Sequence, residues 1–76
     1  MPVPDSAFRE GDVYIDYPQE EMFFRFDRKT GAVFRKLYGE SVEAEVPTSF
    51  ELFAEARRIG EEIDAERYHR GAPRRY

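Results

Sequence analysis

The sequence predicts an α+β fold: a four-stranded antiparallel β-meander with one C-terminal α-helix packed on one face (ββββα). Three observations predict it. Between Asp12 and Val46, four runs rich in alternating apolar residues are separated by three segments with turn chemistry. Placing those turns independently brings the apolar residues of all four runs to one face. Beyond Pro47 the apolar spacing lengthens to the three-and-four pattern of an amphipathic helix.

Each turn is justified by its own residues. Tyr17-Pro18-Gln19-Glu20 puts proline at the first central position of a β-turn, where its fixed φ fits. Asp27-Arg28-Lys29-Thr30-Gly31 ends on a glycine suited to a left-handed position. Tyr38-Gly39-Glu40-Ser41 carries glycine first, the type II′ preference. Counting outward from these turns sets Val13, Phe24, Arg35 and Ala44 in one row. Ile15, Met22, Leu37 and Val42 form the next, and Phe26, Val33 and Val46 a third. The reverse face then carries the rows Tyr14–Phe23–Lys36–Glu43, Asp12–Arg25–Phe34–Glu45 and Asp16–Glu21–Tyr38–Ser41. Opposed charges meet at Lys36–Glu43 and Asp12–Arg25, and like charges meet at Asp16–Glu21.

The whole chain, residues 1–76, reads as a single small domain. Residues 1–11 form an N-terminal arm with one large apolar side chain, Phe8, which either pins the arm to the core edge or waits for a partner. Residues 12–46 form the sheet. Residues 48–69 read as one helix, with Thr48 as N-cap and Glu51 completing a capping box. Its stripe of Leu52, Phe53, Ala56, Ile59, Gly60 and Ile63 faces the sheet, with Leu52, Ile59 and Ile63 on Phe24, Phe26, Leu37 and Val42. Tyr68 and His69 overhang the sheet edge. Gly71 ends the helix, and residues 70–76 make a basic, flexible tail.

Composition excludes several function classes. There is no cysteine, hence no disulfide framework, thiol nucleophile or Cys-based zinc site. His69 is the sole histidine, and Glu66-Arg67-Tyr68-His69 supplies one isolated Glu-x-x-His where helical metal sites use two. No metal or other cofactor is expected, and the chain reads as a non-enzyme. The N-terminus lacks the basic and apolar regions of a signal peptide, and no apolar run is long enough to span a membrane. These features predict a cytoplasmic protein.

Two surfaces stand out as candidates for partner binding. The first is the outer, aromatic sheet face: Tyr14, Phe23, Phe34 and Tyr38, flanked by Arg25 and Lys36. Clustered apolar groups on an exposed surface mark contact sites. The second is acidic. Residues 40–66 hold nine acids against two bases within a net charge of −4. Glu51, Glu55, Glu62 and Glu66 fall on one helical stripe, with Glu43 and Glu45 on the last strand before it. Such a surface imitates nucleic-acid phosphates.

In outline the chain is similar to small phage and mobile-element proteins that inhibit bacterial defence complexes, and to small adaptor subunits. The resemblance is one of architecture. It implies a protein-binding module, most sharply an anti-CRISPR-like inhibitor that blocks a surface of a larger nucleic-acid-handling complex. The alternatives are a small adaptor subunit and a single-stranded nucleic-acid binder that stacks bases on the aromatic face. The acidic balance and the lack of an RNP1 pattern weigh against nucleic acid. The expected partner is a larger protein or complex, or a second copy docked through the outer sheet face.

Overall fold

A computed structural model describes residues 3–74. Arg75 and Tyr76 of the expected tail, and Met1 and Pro2 of the arm, lie outside the described residues. A short helix α1 (Ala7–Glu10) precedes strands β1 (Val13–Tyr17), β2 (Met22–Phe26), β3 (Val33–Leu37) and β4 (Ala44–Val46). Helix α2 (Glu51–Ile59), strand β5 (Glu61–Ile63) and helix α3 (Ala65–Arg70) complete the chain. The sheet has five antiparallel strands in the order β4-β3-β2-β1-β5.

The predicted pairing of β2 with β3 is observed from Met22 to Phe26, including Phe24↔Arg35, and that of β3 with β4 holds for Val33↔Val46, Phe34↔Glu45 and Arg35↔Ala44. The predicted pairs Lys36–Glu43, Leu37–Val42 and Tyr38–Ser41 do not form, because β4 starts only at Ala44 and residues 38–43 are loop. The pairing of β1 with β2 is not. Val13 faces Phe26 rather than Phe24, a slip of two positions. The cause is the connection: Pro18–Glu20 form a single 3₁₀ turn and Glu21 adopts a left-handed conformation at φ 51°. The loop is therefore longer than a two-residue turn. An even slip leaves every side chain on its predicted face. It also removes the like-charge clash, because Asp16 now sits opposite Phe23.

The larger correction is the helix. The predicted single helix over 48–69 is two helices with a strand between them. Thr48 and Ser49 are exposed, α2 starts at Glu51 with Phe50 at the N-cap position, and no side chain caps it. Gly60 ends α2 because the chain there runs against β1. A Cβ on Gly60 would lie 2.7 Å from the Ala56 carbonyl oxygen, 2.9 Å from the Asp16 carbonyl oxygen and 2.9 Å from Ile15 Cγ2. Glu61–Ile63 then add to the free edge of β1. Asp64 restarts the helix, its carboxylate accepting the Arg67 N–H at 2.8 Å.

The sheet is covered on both faces. On one, Phe53 and Ala56 of α2 pack with Val13, Ile15, Met22, Phe24 and Val33. The arm joins this side: Phe8 packs edge-on against Phe26 and Phe53, with ring centroids 5.2 and 6.2 Å away, and Arg57 stacks over Phe8. Leu52 is half-buried here as a flank of the core. Ile59 and Val42, both expected inside, are 47% and 73% exposed, and Ile63 belongs to the opposite face. On that opposite face α3 buries Tyr68 against Phe23 and Tyr38. Tyr68 is thus a second core rather than an overhang. Among the described residues no helix is long and apolar enough to cross a membrane.

Candidate functional site: the ledge and seam beside α3

The face predicted to present aromatics to a partner is partly roofed by α3. Phe23, Lys36 and Tyr38 are buried, and Tyr14 is half-buried with its ring 5.1 Å from that of Tyr68. The expectation of a fully exposed aromatic face is corrected accordingly. It failed because the roof is the chain's own C-terminal segment, which a continuous helix 48–69 would have carried away from the sheet. A base-stacking platform of Tyr14, Phe23 and Phe34 is not presented, since Phe23 is fully covered.

Polar groups run through this face as a seam. The Arg25 guanidinium donates twice to the Glu43 carboxylate, at 2.7 and 3.0 Å, and the Tyr68 hydroxyl donates to the same carboxylate. The Tyr38 hydroxyl donates to Asp16, which also accepts from Arg67 at 3.5 Å. The Lys36 ammonium donates to the Tyr68 carbonyl and lies 4.5 Å from the centre of that ring. Charge states follow. The bond from Arg25 holds the Glu43 carboxyl below its ordinary range, whereas burial, with Glu43 beside it, pushes the Tyr68 phenol up. Burial pulls the Lys36 ammonium below its ordinary value.

What α3 leaves uncovered is a ledge toward β4. Ile63, Tyr14, Arg25, Phe34 and Glu45 form one continuous row across the five strands. The α3 roof reaches Tyr14 at one end of it. At the other end Phe34 is partly exposed, with the Arg25 guanidinium 4.3 Å from its ring centre. Because Glu43 fixes Arg25 from the far side, the Phe34 ring is held by a side chain that is itself anchored. Glu45 lies exposed across the strand pair, and the loop between β3 and β4 leaves Val42 in solvent.

The predicted acidic stripe is dispersed by the break at Gly60. Glu51 and Glu55 are on α2, Glu62 on β5 and Glu66 in the first turn of α3. Glu55 accepts the Tyr17 hydroxyl at 3.0 Å, and Glu43 is committed to Arg25 and Tyr68. These carboxylates stand on separate elements instead of on one helical stripe.

Comparison with known proteins places this architecture. The family model described as Tis1 immunity protein matches residues 1–72. The chain belongs to the Tis1 immunity protein family. It is 39% identical over 70 residues to the immune protein Tis1 of Pseudomonas aeruginosa (strain UCBPP-PA14), spanning 91% of each chain. The fold is similar to a chain in the crystal structure of the complex between the type VI effector Tas1 and its immunity protein. There the TM-score is 0.88 at 36% identity, covering 97% of this chain and 99% of that one. Membership of a Tis1 family replaces the anti-CRISPR-like reading of the sequence.

Sequence reasoning missed Tyr68 and Arg67 as parts of this face, whereas Asp16 was placed on it correctly. Two signals pointed to them. Gly60 interrupts an otherwise helical pattern, and Asp64 stands three residues before Arg67 as an N-cap does.

Proposed function

We propose that this chain is an immunity protein that binds a type VI effector of the Tas1 kind and neutralises it by occupancy, with no chemical step of its own. The observation that carries the reading is the match, over nearly the full length of both chains, to a chain of an effector–immunity complex at 36% identity. A binding role also suits a surface whose prominent groups are an anchored aromatic and exposed acids. Within that reading the docking surface is the ledge. Phe34 supplies the buried centre, Val42 extends it, and Glu45 meets basic groups at the rim. A docking patch spans about 800 Å² per partner, and the adjoining loop over residues 39–43, which carries Val42, belongs to it.

The test is neutralisation in cells. Expression of a Tas1-type effector should stop growth, and co-expression of this chain should restore it, with the two proteins recovered as a complex. Growth arrest that persists despite abundant, folded chain would contradict the proposal.

A further inference from the structure

A cleft of about 630 Å³ opens between the β3–β4 loop and the C-terminal segment, lined among others by Lys36, Gly39, Glu40, His69, Arg70 and Gly71. Its walls are fixed to one another: the Gly39 N–H donates to the Ala72 carbonyl at 2.7 Å, and the Arg74 side chain packs on Gly39. Gly71 turns the chain at φ 74°, ψ −166°, a conformation that glycine alone adopts readily. A Cβ there would stand 3.9 Å from the Lys36 ammonium. The turn therefore brings bare backbone past that ammonium and leaves the cleft open beside it.

Lys36 is the unusual group. It is 4% exposed, yet among the described residues no carboxylate forms an ion pair with it. Glu43, whose field reaches it, is held by Arg25 and Tyr68. An ammonium has three donors, and the Tyr68 carbonyl takes one. A buried cation without an anionic partner is costly, and the remedy is a carboxylate at hydrogen-bond distance. The cleft supplies the route. Arg70 and His69 stand exposed at its mouth, and Glu40 is the lone acid among its lining residues. With Lys36 and Arg70 against Glu40, the opening carries a positive balance within a chain of net charge −4.

We infer that this cleft receives the carboxylate of an acidic side chain from the protein partner, seated on the Lys36 ammonium with Arg70 at the mouth. The inference rests on the effector-binding reading above. The occupant is a protein side chain because the cleft shares its wall, residues 39–41, with the loop that carries Val42 on the proposed docking surface. A segment lying on the ledge reaches the cleft within the same contact.

The experiment is titration calorimetry of the full chain against a Tas1-type effector. Arg70→Glu reverses an exposed charge and leaves the core untouched. It should weaken the complex by about tenfold or more. Lys36→Met keeps the stem among the rings and removes the charge, and should do the same. An Asp or Glu to Lys substitution in the effector that restores binding to the Arg70→Glu variant would identify the occupant. Affinities within about twofold of wild type for both variants, while Phe34→Ala still weakens the complex, would overturn the cleft assignment alone. Failure of the wild-type chain to bind would overturn the parent reading and the cleft with it. Saturable inorganic phosphate binding below roughly 1 mM, followed by amide shifts at Gly71, would make the occupant a free anion and also overturn the assignment.

Discussion

On the α2 side of the sheet, Val13, Ile15, Phe24 and Val33 meet Phe53 and Ala56 as an apolar layer. On the α3 side, Phe23 and Tyr68 share their space with Lys36, Arg67, Asp16 and Glu43. The same five strands support both layers, so the difference lies in the covering helix and in what the outward residues are. An apolar layer gains stability in proportion to the area it buries and directs nothing. A polar seam contributes less per contact, because each bond replaces one to water. It does fix geometry: Arg25, Glu43 and Tyr68 hold one another, and the Phe34 ring is set by the outcome. The comparison teaches that one face makes the fold and the other orients the groups proposed to meet a partner.

Substitutions on the two faces sharpen the contrast. The largest effect is expected from Phe24→Ala, at the fully buried centre of the α2 side, with a loss of about 3–5 kcal/mol in urea unfolding. A loss under about 1 kcal/mol would mean that the α2 layer is not the main source of stability. Phe34→Ala reverses the pattern. It should weaken the effector complex by about 2 kcal/mol, or thirtyfold, in calorimetry, while costing under about 1 kcal/mol of stability. Tyr68→Phe removes one donor to Glu43 and leaves the Arg25 pair, so about 1 kcal/mol of stability should go. The smallest effect is pH-dependent. Arg25 lowers the folded-state pKa of Glu43, so the stability this pair contributes is present above the ordinary carboxylate value of 4.5. It is lost as pH falls through the lower folded value. Glu43→Gln should flatten that limb of the acid unfolding curve.

Much of the first face was legible in the sequence, and the reason is physical. Strand periodicity and turn residues act locally, so the β2–β3 and β3–β4 registers follow from Gly31 and Gly39 and from the alternation around them. The β1–β2 slip was not legible, because a 3₁₀ turn at Pro18 and a left-handed Glu21 depend on how the loop settles. The second face depended on one residue. A helix continuing through Gly60 keeps Ile63 and Tyr68 on the α2 side or beyond it. A break there sends both to the opposite face. Helical periodicity over residues 52–63 is compatible with either outcome, and the close approach of β1 to Gly60 decides it. The candidate surface inherited that ambiguity. Arg25, Phe34 and Glu45 kept their predicted face, whereas Phe23, Lys36 and Tyr38 kept the face but lost their exposure. Val42 was read as core from its alternation, and the loop that follows Gly39 turned it outward.

The central claim is that the α3-bearing face docks the effector while the α2 face serves the fold. Amide hydrogen exchange of this chain, alone and saturated with a Tas1-type effector, tests it most directly. The account predicts new protection across residues 33–46 and 67–72, with α2 exchanging at the same rates in both states. Protection concentrated on Glu51–Ile59 and the N-terminal arm, with β3 and β4 unchanged, would contradict it.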